Sequence, residues 1–148
     1  MLGPMSQDVL ALVRRMMETE IPFNRLLGIE VGGLDEGFAR LEIPFRDDLI
    51  GDAQRPALHG GVVSALCDTA GGAAAFTMVA MPDDRVSTID LRIDYLRPGE
   101  KKTLVAEARV TRMGNRVASI DITCFHPDQP DRLIAAGKAV YNIKRADD

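Results

Sequence analysis

One carboxylate stands alone in a long uncharged stretch of this chain. Residues 60–81 carry a single formal charge, that of Asp68. A buried carboxylate is costly unless something compensates it, so Asp68 needs either a structural partner, such as a cap or a salt bridge, or a chemical task. An aspartate in such a position can act as a general base or as a nucleophile.

The residues at the start of this stretch can supply backbone N–H groups that stabilise a negative charge. Leu58-His59-Gly60-Gly61 stands where the apolar stretch begins. The first N–H groups of a helix have no internal acceptor and lie at its positive end. Because glycines cover these groups with no side chain, the N–H of Gly60 is a candidate donor to a developing oxyanion.

The apolar stretch itself is predicted to be a central, buried helix. Residues 58–81 are apolar around the whole helix, which is typical of a buried helix or a membrane span. A carboxylate in the middle and four glycines argue against the span. Small residues share the side of Asp68 and bulky ones lie opposite, which predicts a core on one side and close approach of another element or a ligand on the other. The small residues are Gly61, Ser64, Ala65, Gly71, Gly72 and Ala75.

The elements around this helix follow from periodicity and turn residues. We expect an amphipathic helix from an N-cap at Ser6 to about residue 18, ended by Pro22, and turns at 32–33 and 35–37. Alternation predicts half-buried strands, with a hairpin connection at Gly114-Asn115. These strands are 27–31, 38–45, 88–96, 104–110, 118–124 and 133–143. Helices segregated against an antiparallel sheet make an α+β fold, and the apolar helix needs a sheet that curls around it.

Composition narrows the class of protein. A chain of 148 residues with 46% hydrophobic and 27% charged residues is expected to form one globular domain. The net charge of −4 argues against a general nucleic-acid binder. With no signal peptide at its start, the chain is expected to be cytoplasmic. Cys67 and Cys124 are expected to be buried, reduced thiols, and we expect no metal site, because no Cys/His cluster has ligand spacing.

Several of these features together resemble one known family. The sequence resembles the hotdog-fold acyl-CoA thioesterases of the phenylacetate-degradation (PaaI-like) type. The resemblance rests on Leu58-His59-Gly60-Gly61 at the start of a buried helix, on an acid eight residues after Gly60, on the strand Thr88-Ile-Asp-Leu-Arg-Ile-Asp-Tyr-Leu-Arg-Pro98 and on the Gly-Asn hairpin. The resemblance covers residues 27–143. It implies a hotdog core there, with five or six antiparallel strands wrapped around the central helix, preceded by an N-terminal helical segment at 1–26.

The resemblance also implies an activity and an assembly. The expected reaction is hydrolysis of an acyl-CoA thioester, with Asp68 as general base or nucleophile and the Gly60 N–H as oxyanion donor. His59 is expected to position the thioester or the loop, and coenzyme A enters only as part of the substrate. The family implies a homodimer or a homotetramer, so that Asp68 of one chain faces the Gly60 region of another. No nucleic acid or membrane is expected as a partner.

Other site residues are expected with less direct support. Relatives often carry asparagine six residues before the histidine, where this chain has Ala53. Its neighbours Asp52 and Gln54 are candidates to replace that asparagine in holding water. Gly61 and Thr88 are further candidates for substrate binding, and Thr88 offers a hydroxyl near the catalytic acid. Arg112 and Arg116, beside the hairpin turn, are candidates to meet the phosphates of CoA; the alternative is a solvated hairpin tip.

Two rival functions remain open at this point. One is a hotdog hydratase or dehydratase acting on acyl thioesters, which needs a histidine paired with an acid. A histidine at a Gly-Gly helix start suits that role less well. The other is a non-catalytic acyl-CoA-binding protein. The nature of the acyl group cannot be read from the sequence.

Overall fold

A computed structural model describes residues 7–79 and 83–146. The helices are α1 (Gln7–Arg15), a π-helical turn (Met16–Glu20), α2 (Pro22–Leu27), a 3-10 turn (Asp47–Leu49) and α3 (Gly60–Phe76). The strands are β1 (Glu30–Asp35), β2 (Phe38–Ile43), β3 (Arg85–Tyr95), β4 (Leu104–Met113), β5 (Val117–Phe125) and β6 (Ala135–Lys144). These six strands of the described residues form one antiparallel sheet in the order β1-β2-β4-β5-β6-β3. This confirms the predicted hotdog architecture.

Helix α3 is the centre of the core, as the sequence predicted. It packs against β2, β3, β4, β5 and β6. Its bulky side faces the core, with Leu66 at 0% exposure and Phe76 partly buried. The alternating strands turn their apolar faces to it, so Leu41, Ala106 and Ile120 are buried. Burial of these side chains, at roughly 25 cal/mol per Å² of apolar surface, is the main force holding sheet and helix together.

The central helix is shorter than predicted. It ends at Phe76, and Thr77 terminates it with a hydroxyl that donates to Ala74 O at 2.6 Å and accepts from the Gly37 N–H at 2.8 Å. This contact ties the end of α3 to the turn between β1 and β2. The predicted end of the helix at residues 80–81 lies outside the described residues, as does the proposed N-cap at Ser6.

Two local predictions near the N-terminus are wrong, the start of the first strand and the first turn. Pro22 follows the end of the N-terminal helical segment at Glu20, as predicted, and also occupies the first position of α2, where the missing N–H costs nothing. Helix α2 therefore replaces the start of the strand expected at residue 27, and β1 begins at Glu30. The Gly32-Gly33 pair is not a turn, because it lies inside β1 at an irregularity in the pairing with β2. The turn is made by residues 35–37, with Gly37 at a φ of 72°.

Strand β3 forms one edge of the sheet, and among the described residues its only partner strand is β6. A β-bulge between Thr88 and Asp90 interrupts the expected alternation. Thr88 on one side of the bulge, and Leu91 and Ile93 beyond it, all face the helix. Ile89, which strict alternation with Leu91 and Ile93 would place on the inner face, is instead 56% exposed. The bulge thus leaves an apolar side chain exposed on an open edge.

The two cysteines are buried and free, as expected. Contact with the thiol of Cys67, together with burial, raises the pKa of the Cys124 thiol well above its usual value, so this thiol stays protonated. None of the described helices is long and apolar enough to cross a membrane.

Candidate active site

The start of α3 is built around His59. This residue is the N-cap, and its Nδ1 accepts a hydrogen bond of 2.7 Å from the Gly61 N–H. A backbone N–H can only donate, so Nδ1 carries no proton. In the neutral imidazole the proton then lies on Nε2, so the one lone pair that a general base would use is engaged in capping. The geometry agrees with the expectation that His59 positions the loop rather than removing a proton.

Gly60 is the first residue of the helix, and the helix provides no acceptor for its N–H. Within residues 7–79 and 83–146, no hydrogen bond from this N–H is found. The Gly60 carbonyl oxygen accepts from the Tyr95 hydroxyl at 3.1 Å, and that hydroxyl also contacts Ser64 Oγ. The N–H thus remains available at the positive end of the helix dipole, where it can stabilise negative charge.

A cavity of about 520 Å³ opens beside this helix start. Its lining includes His59, Gly60 and Val63 of the helix region, Tyr95 of β3, and Asp52 and Arg55 of the preceding loop. Neither Asp68 nor Thr88 lines it. The cavity therefore lies at the helix start, beside the free Gly60 N–H, and not at the carboxylate.

Asp68 lies two turns further along α3 and is half-buried. Its Oδ1 accepts from Thr88 Oγ1 at 2.8 Å and from the Tyr141 hydroxyl at 3.1 Å. The same hydroxyl lies 2.7 Å from the Asp68 carbonyl oxygen. No described residue donates to Oδ2. The protein thus holds one of the two carboxylate oxygens through hydroxyl groups of the sheet.

Tyr141 reaches this position because the helix offers it glycines. A β-carbon on Gly71 would lie 2.9 Å from the ring carbon Cζ of Tyr141, far inside normal contact, whereas one on Gly72 would lie 3.7 Å from Cε1. Burial, and after it the nearby charge of Asp68, raise the pKa of Tyr141 above its usual value. The hydroxyl therefore keeps its proton and remains a hydrogen-bond donor.

The predicted site residues fall into separate groups. His59, Gly60 and Gly61 meet at the helix start, and Thr88 meets Asp68. In the loop, Asp52 holds its own turn: its carboxylate accepts from the N–H groups of Gln54 and Arg55 and from Arg55 Nε. These hydrogen bonds, the one from the Gln54 N–H first, lower the pKa of Asp52.

Three predicted binding residues lie away from the cavity and the carboxylate. The side chain of Gln54 is exposed and does not line the cavity. Arg112 and Arg116 are exposed on either side of the turn between β4 and β5. Their roles toward the substrate stay predictions.

Three residues of the site were missed from the sequence. Tyr141 and Tyr95 were counted only as strand residues, although their hydroxyls bind Asp68 and the Gly60 carbonyl. Gly51 was counted as part of an irregular loop. Its position leaves no room for a side chain, because a β-carbon there would overlap the backbone of His59. The small residues on the Asp68 side of the helix were the signal that pointed to a neighbour such as Tyr141.

Comparison with known proteins identifies the family. A family model described as the thioesterase superfamily matches residues 56–132, just over half of the chain. This chain belongs to the thioesterase superfamily. The match includes the helix start, Asp68 and Thr88. Membership confirms the predicted class of enzyme, a thioester hydrolase.

Individual members of the superfamily resemble the chain over nearly its full length. The medium/long-chain acyl-CoA thioesterase YigI of Salmonella typhimurium is 31% identical over 150 residues, covering 93% of this chain and 96% of YigI. A Shewanella oneidensis protein related to the thioesterase superfamily has a TM-score of 0.84 and 30% identity, covering 95% of this chain and 99% of that one. The E. coli PaaI protein from the phenylacetic acid degradation operon has a TM-score of 0.79 and 26% identity, covering 93% and 94%. The resemblance to PaaI-like hotdog thioesterases is therefore confirmed.

Proposed function

We propose that this thioesterase-superfamily protein hydrolyses acyl-CoA thioesters to a free acid and CoA, using Asp68 and the Gly60 N–H. The observation that carries the proposal is the state of the Asp68 carboxylate: Oδ1 is held by Thr88 and Tyr141, and Oδ2 has no donor among the described residues. Because no buried side-chain oxygen of the described residues lacks a partner, Oδ2 is accessible from outside the chain and can meet a water molecule or a thioester.

The reaction follows from these two groups. Either a water molecule attacks the thioester carbonyl carbon while Asp68 takes its proton, or the Asp68 carboxylate attacks that carbon directly. In both routes the carbonyl oxygen becomes negative, and the Gly60 N–H stabilises it. The C–S bond then breaks, and the CoA thiolate leaves and takes up the proton held by Asp68 or one from water. The first route gives the free acid at once, whereas the second gives an anhydride that water then hydrolyses to the free acid and Asp68.

The spacing of the two groups supports a site shared between chains. Asp68 follows Gly60 by eight residues in one straight helix, a rise of roughly 12 Å. The attacking oxygen and the oxyanion are attached to the same carbon, so one chain cannot supply both groups to one thioester. We infer that the active form is a homodimer or a homotetramer, in which Asp68 of one copy faces Gly60 of another. The open edge of β3, with Ile89 exposed, supports edge-to-edge pairing of two sheets.

The relatives support a substrate class. YigI of Salmonella typhimurium is a medium/long-chain acyl-CoA thioesterase, and we extend that acyl range to this protein. In this proposal Arg112 and Arg116 bind CoA phosphates, Gln54 and Gly61 help to hold the substrate or water, and Thr88 supports the carboxylate. No cofactor is required, since every step uses only the substrate, water and side chains.

The test is a panel of acyl-CoA substrates from short to long chains, assayed by release of free thiol. Wild-type protein should release thiol fastest from medium- and long-chain substrates. Asp68→Asn keeps the size of the side chain and should lower turnover by about 10²–10⁴. Full turnover by a folded Asp68→Asn protein would exclude the proposed role of the carboxylate.

The same assay separates the rival functions. An enoyl-CoA substrate whose absorbance changes without thiol release would indicate a hydratase. Tight acyl-CoA binding with no thiol release from any substrate would indicate a non-catalytic acyl-CoA-binding protein.

A further inference from the structure

Tyr141 and Thr88 are directly opposite each other across the β3–β6 pair, although 53 positions separate them in the chain (141 − 88 = 53). Side chains of residues directly opposite in an antiparallel pair project from the same face of the sheet with their β-carbons about 5 Å apart. Here that face is the one covered by α3. The two hydroxyl groups therefore converge on a single atom, Oδ1 of Asp68, at 2.8 Å and 3.1 Å.

We propose that Tyr141 is a positioning residue for Asp68, which clamps Oδ1 together with Thr88 so that Oδ2 points to the reacting water or thioester. This inference rests on the proposed role of Asp68 in thioester hydrolysis. Tyr141 would not touch the substrate. It acts by fixing the rotamer of the carboxylate that does.

The burial of Tyr141 supports this role. Its side chain is only 2% exposed, and its ring lies against the glycines of α3, so it is held in place far more rigidly than an exposed side chain. With Thr88 as the single donor, the Asp68 carboxylate could still rotate about its side-chain bonds while keeping that hydrogen bond. A second donor, from the neighbouring strand of the sheet, restricts this rotation. Misplacing a reacting group by about 1 Å can cost a factor of about 10² in rate.

The competing explanation is that the Tyr141 hydroxyl serves only as a hydrogen-bond donor to the main-chain carbonyl of Asp68. Its single proton lies between two acceptors, and the Asp68 carbonyl oxygen is closer, at 2.7 Å against 3.1 Å for Oδ1. Hydrogen bonds to ionised acceptors are about twice as strong as those to neutral ones, so the carboxylate competes with the carbonyl for this proton despite the longer distance. Stability measurements alone cannot separate the two explanations, because both predict a loss when the hydroxyl is removed.

The two explanations can be separated by measuring kcat and KM of a variant that lacks the Tyr141 hydroxyl. Tyr141→Phe removes only the hydroxyl, and we expect kcat to fall about tenfold or more with KM nearly unchanged. The matched control is Thr77→Val, which also deletes one buried hydroxyl from the α3 region, roughly 13 Å along the helix from Asp68. This control should lose stability but keep its kcat.

A second variant tests positioning without altering Tyr141. Asp68→Glu keeps the carboxylate but moves it by one methylene, off the two donors. We expect its kcat to fall as well, although the chemical group is still present. A folded Asp68→Glu protein with wild-type kcat would overturn the proposal, and it would do so even if Tyr141→Phe failed to fold.

Failure of the inference can be told apart from failure of the proposed function. If Asp68→Asn is inactive and Tyr141→Phe has the kcat of the wild type, the catalytic role of Asp68 stands and the positioning role of Tyr141 is overturned. If Asp68→Asn retains full turnover, the proposed function itself fails. Equal loss of kcat in Tyr141→Phe and Thr77→Val would assign the hydroxyl a structural role only.

Discussion

The imidazole of His59 caps the helix that begins one residue later, with Nδ1 2.7 Å from the N–H of Gly61. This hydrogen bond leaves the Gly60 N–H as the open donor of the helix start. It also explains why Gly61 is a glycine, because a β-carbon there would lie 2.8 Å from Nδ1. The histidine and the two glycines thus act together to present one backbone N–H.

If capping is the main task of His59, another capping residue should replace it. Asparagine is among the best N-caps, whereas alanine costs about 1 kcal/mol at such positions. We expect His59→Asn to retain stability and most thiol release, and His59→Ala to lose about 1 kcal/mol by urea unfolding. A His59→Asn protein as stable as wild type but as inactive as Asp68→Asn would show that the imidazole itself takes part in the reaction.

The backbone N–H of Gly60 can be removed by a proline substitution, which leaves the side chain of Asp68 unchanged. Gly60→Pro deletes the N–H at the first position of a helix, where proline is tolerated, and the ψ of 134° at His59 suits a residue before proline. Turnover should fall by about 10²–10³. Gly60→Ala keeps the N–H, and its β-carbon would meet Tyr95 Cε1 at an ordinary 3.5 Å. If the folded proline variant matched the alanine variant in thiol release, Gly60 would not be the oxyanion donor.

Two adjacent glycines of α3 should respond in opposite ways to alanine. Gly71→Ala places a methyl group on the Tyr141 ring and should destabilise the protein by about 1–3 kcal/mol. Gly72→Ala meets only an ordinary contact of 3.7 Å and should be neutral or stabilising by up to about 1 kcal/mol, the difference in helix propensity. Urea unfolding at one fixed protein concentration compares the pair. Equal stabilities would contradict the close packing of Tyr141 on Gly71.

The open edge of β3 should be the contact between copies. Ile89→Lys puts a charge on the exposed apolar residue of the bulge, which should dissociate the oligomer and abolish most thiol release, because Gly60 and Asp68 of one chain are too far apart. Val117→Lys is the matched control, since Val117 is also exposed, at 44%, but lies on β5 inside the sheet order. Sedimentation velocity checks both. A fully active Ile89→Lys monomer would exclude the shared site.

The raised pKa of Tyr141 predicts a specific loss of stability in alkali. An unfolded tyrosine ionises near pH 10, while burial keeps the folded one protonated. The contribution of this shift to stability is therefore complete below about pH 10 and is lost as the pH rises above it. Between about pH 10 and pH 11, the wild type should lose up to about 1.4 kcal/mol more unfolding free energy than Tyr141→Phe. Parallel pH dependences in urea unfolding would contradict this.

Local patterns in the sequence were sufficient for the main elements. The uncharged stretch with one aspartate predicted the central helix, and alternation predicted the strands that pack on it, because side-chain burial follows the period of each element. The sequence predicted the ends of helices and strands less accurately where one residue is compatible with two local structures. Pro22 is compatible with the end of one helix and with the start of the next, and Gly32-Gly33 with a turn or with a continuing strand. The hydrophobic pattern does not distinguish between these structures.

The geometry around Asp68 was decided by the tertiary structure. Strict alternation along β3 would place Thr88 on the face opposite Leu91, yet both face α3 because the bulge at Ile89 adds one residue and reverses the alternation. Tyr141 meets Thr88 only through strand pairing across 53 positions. The sequence by itself determined which residue types were present and which helix carried Asp68. Which hydroxyls hold its carboxylate depends on a bulge and a strand register, and these are set by packing of the whole sheet on the helix, not by neighbours in the chain.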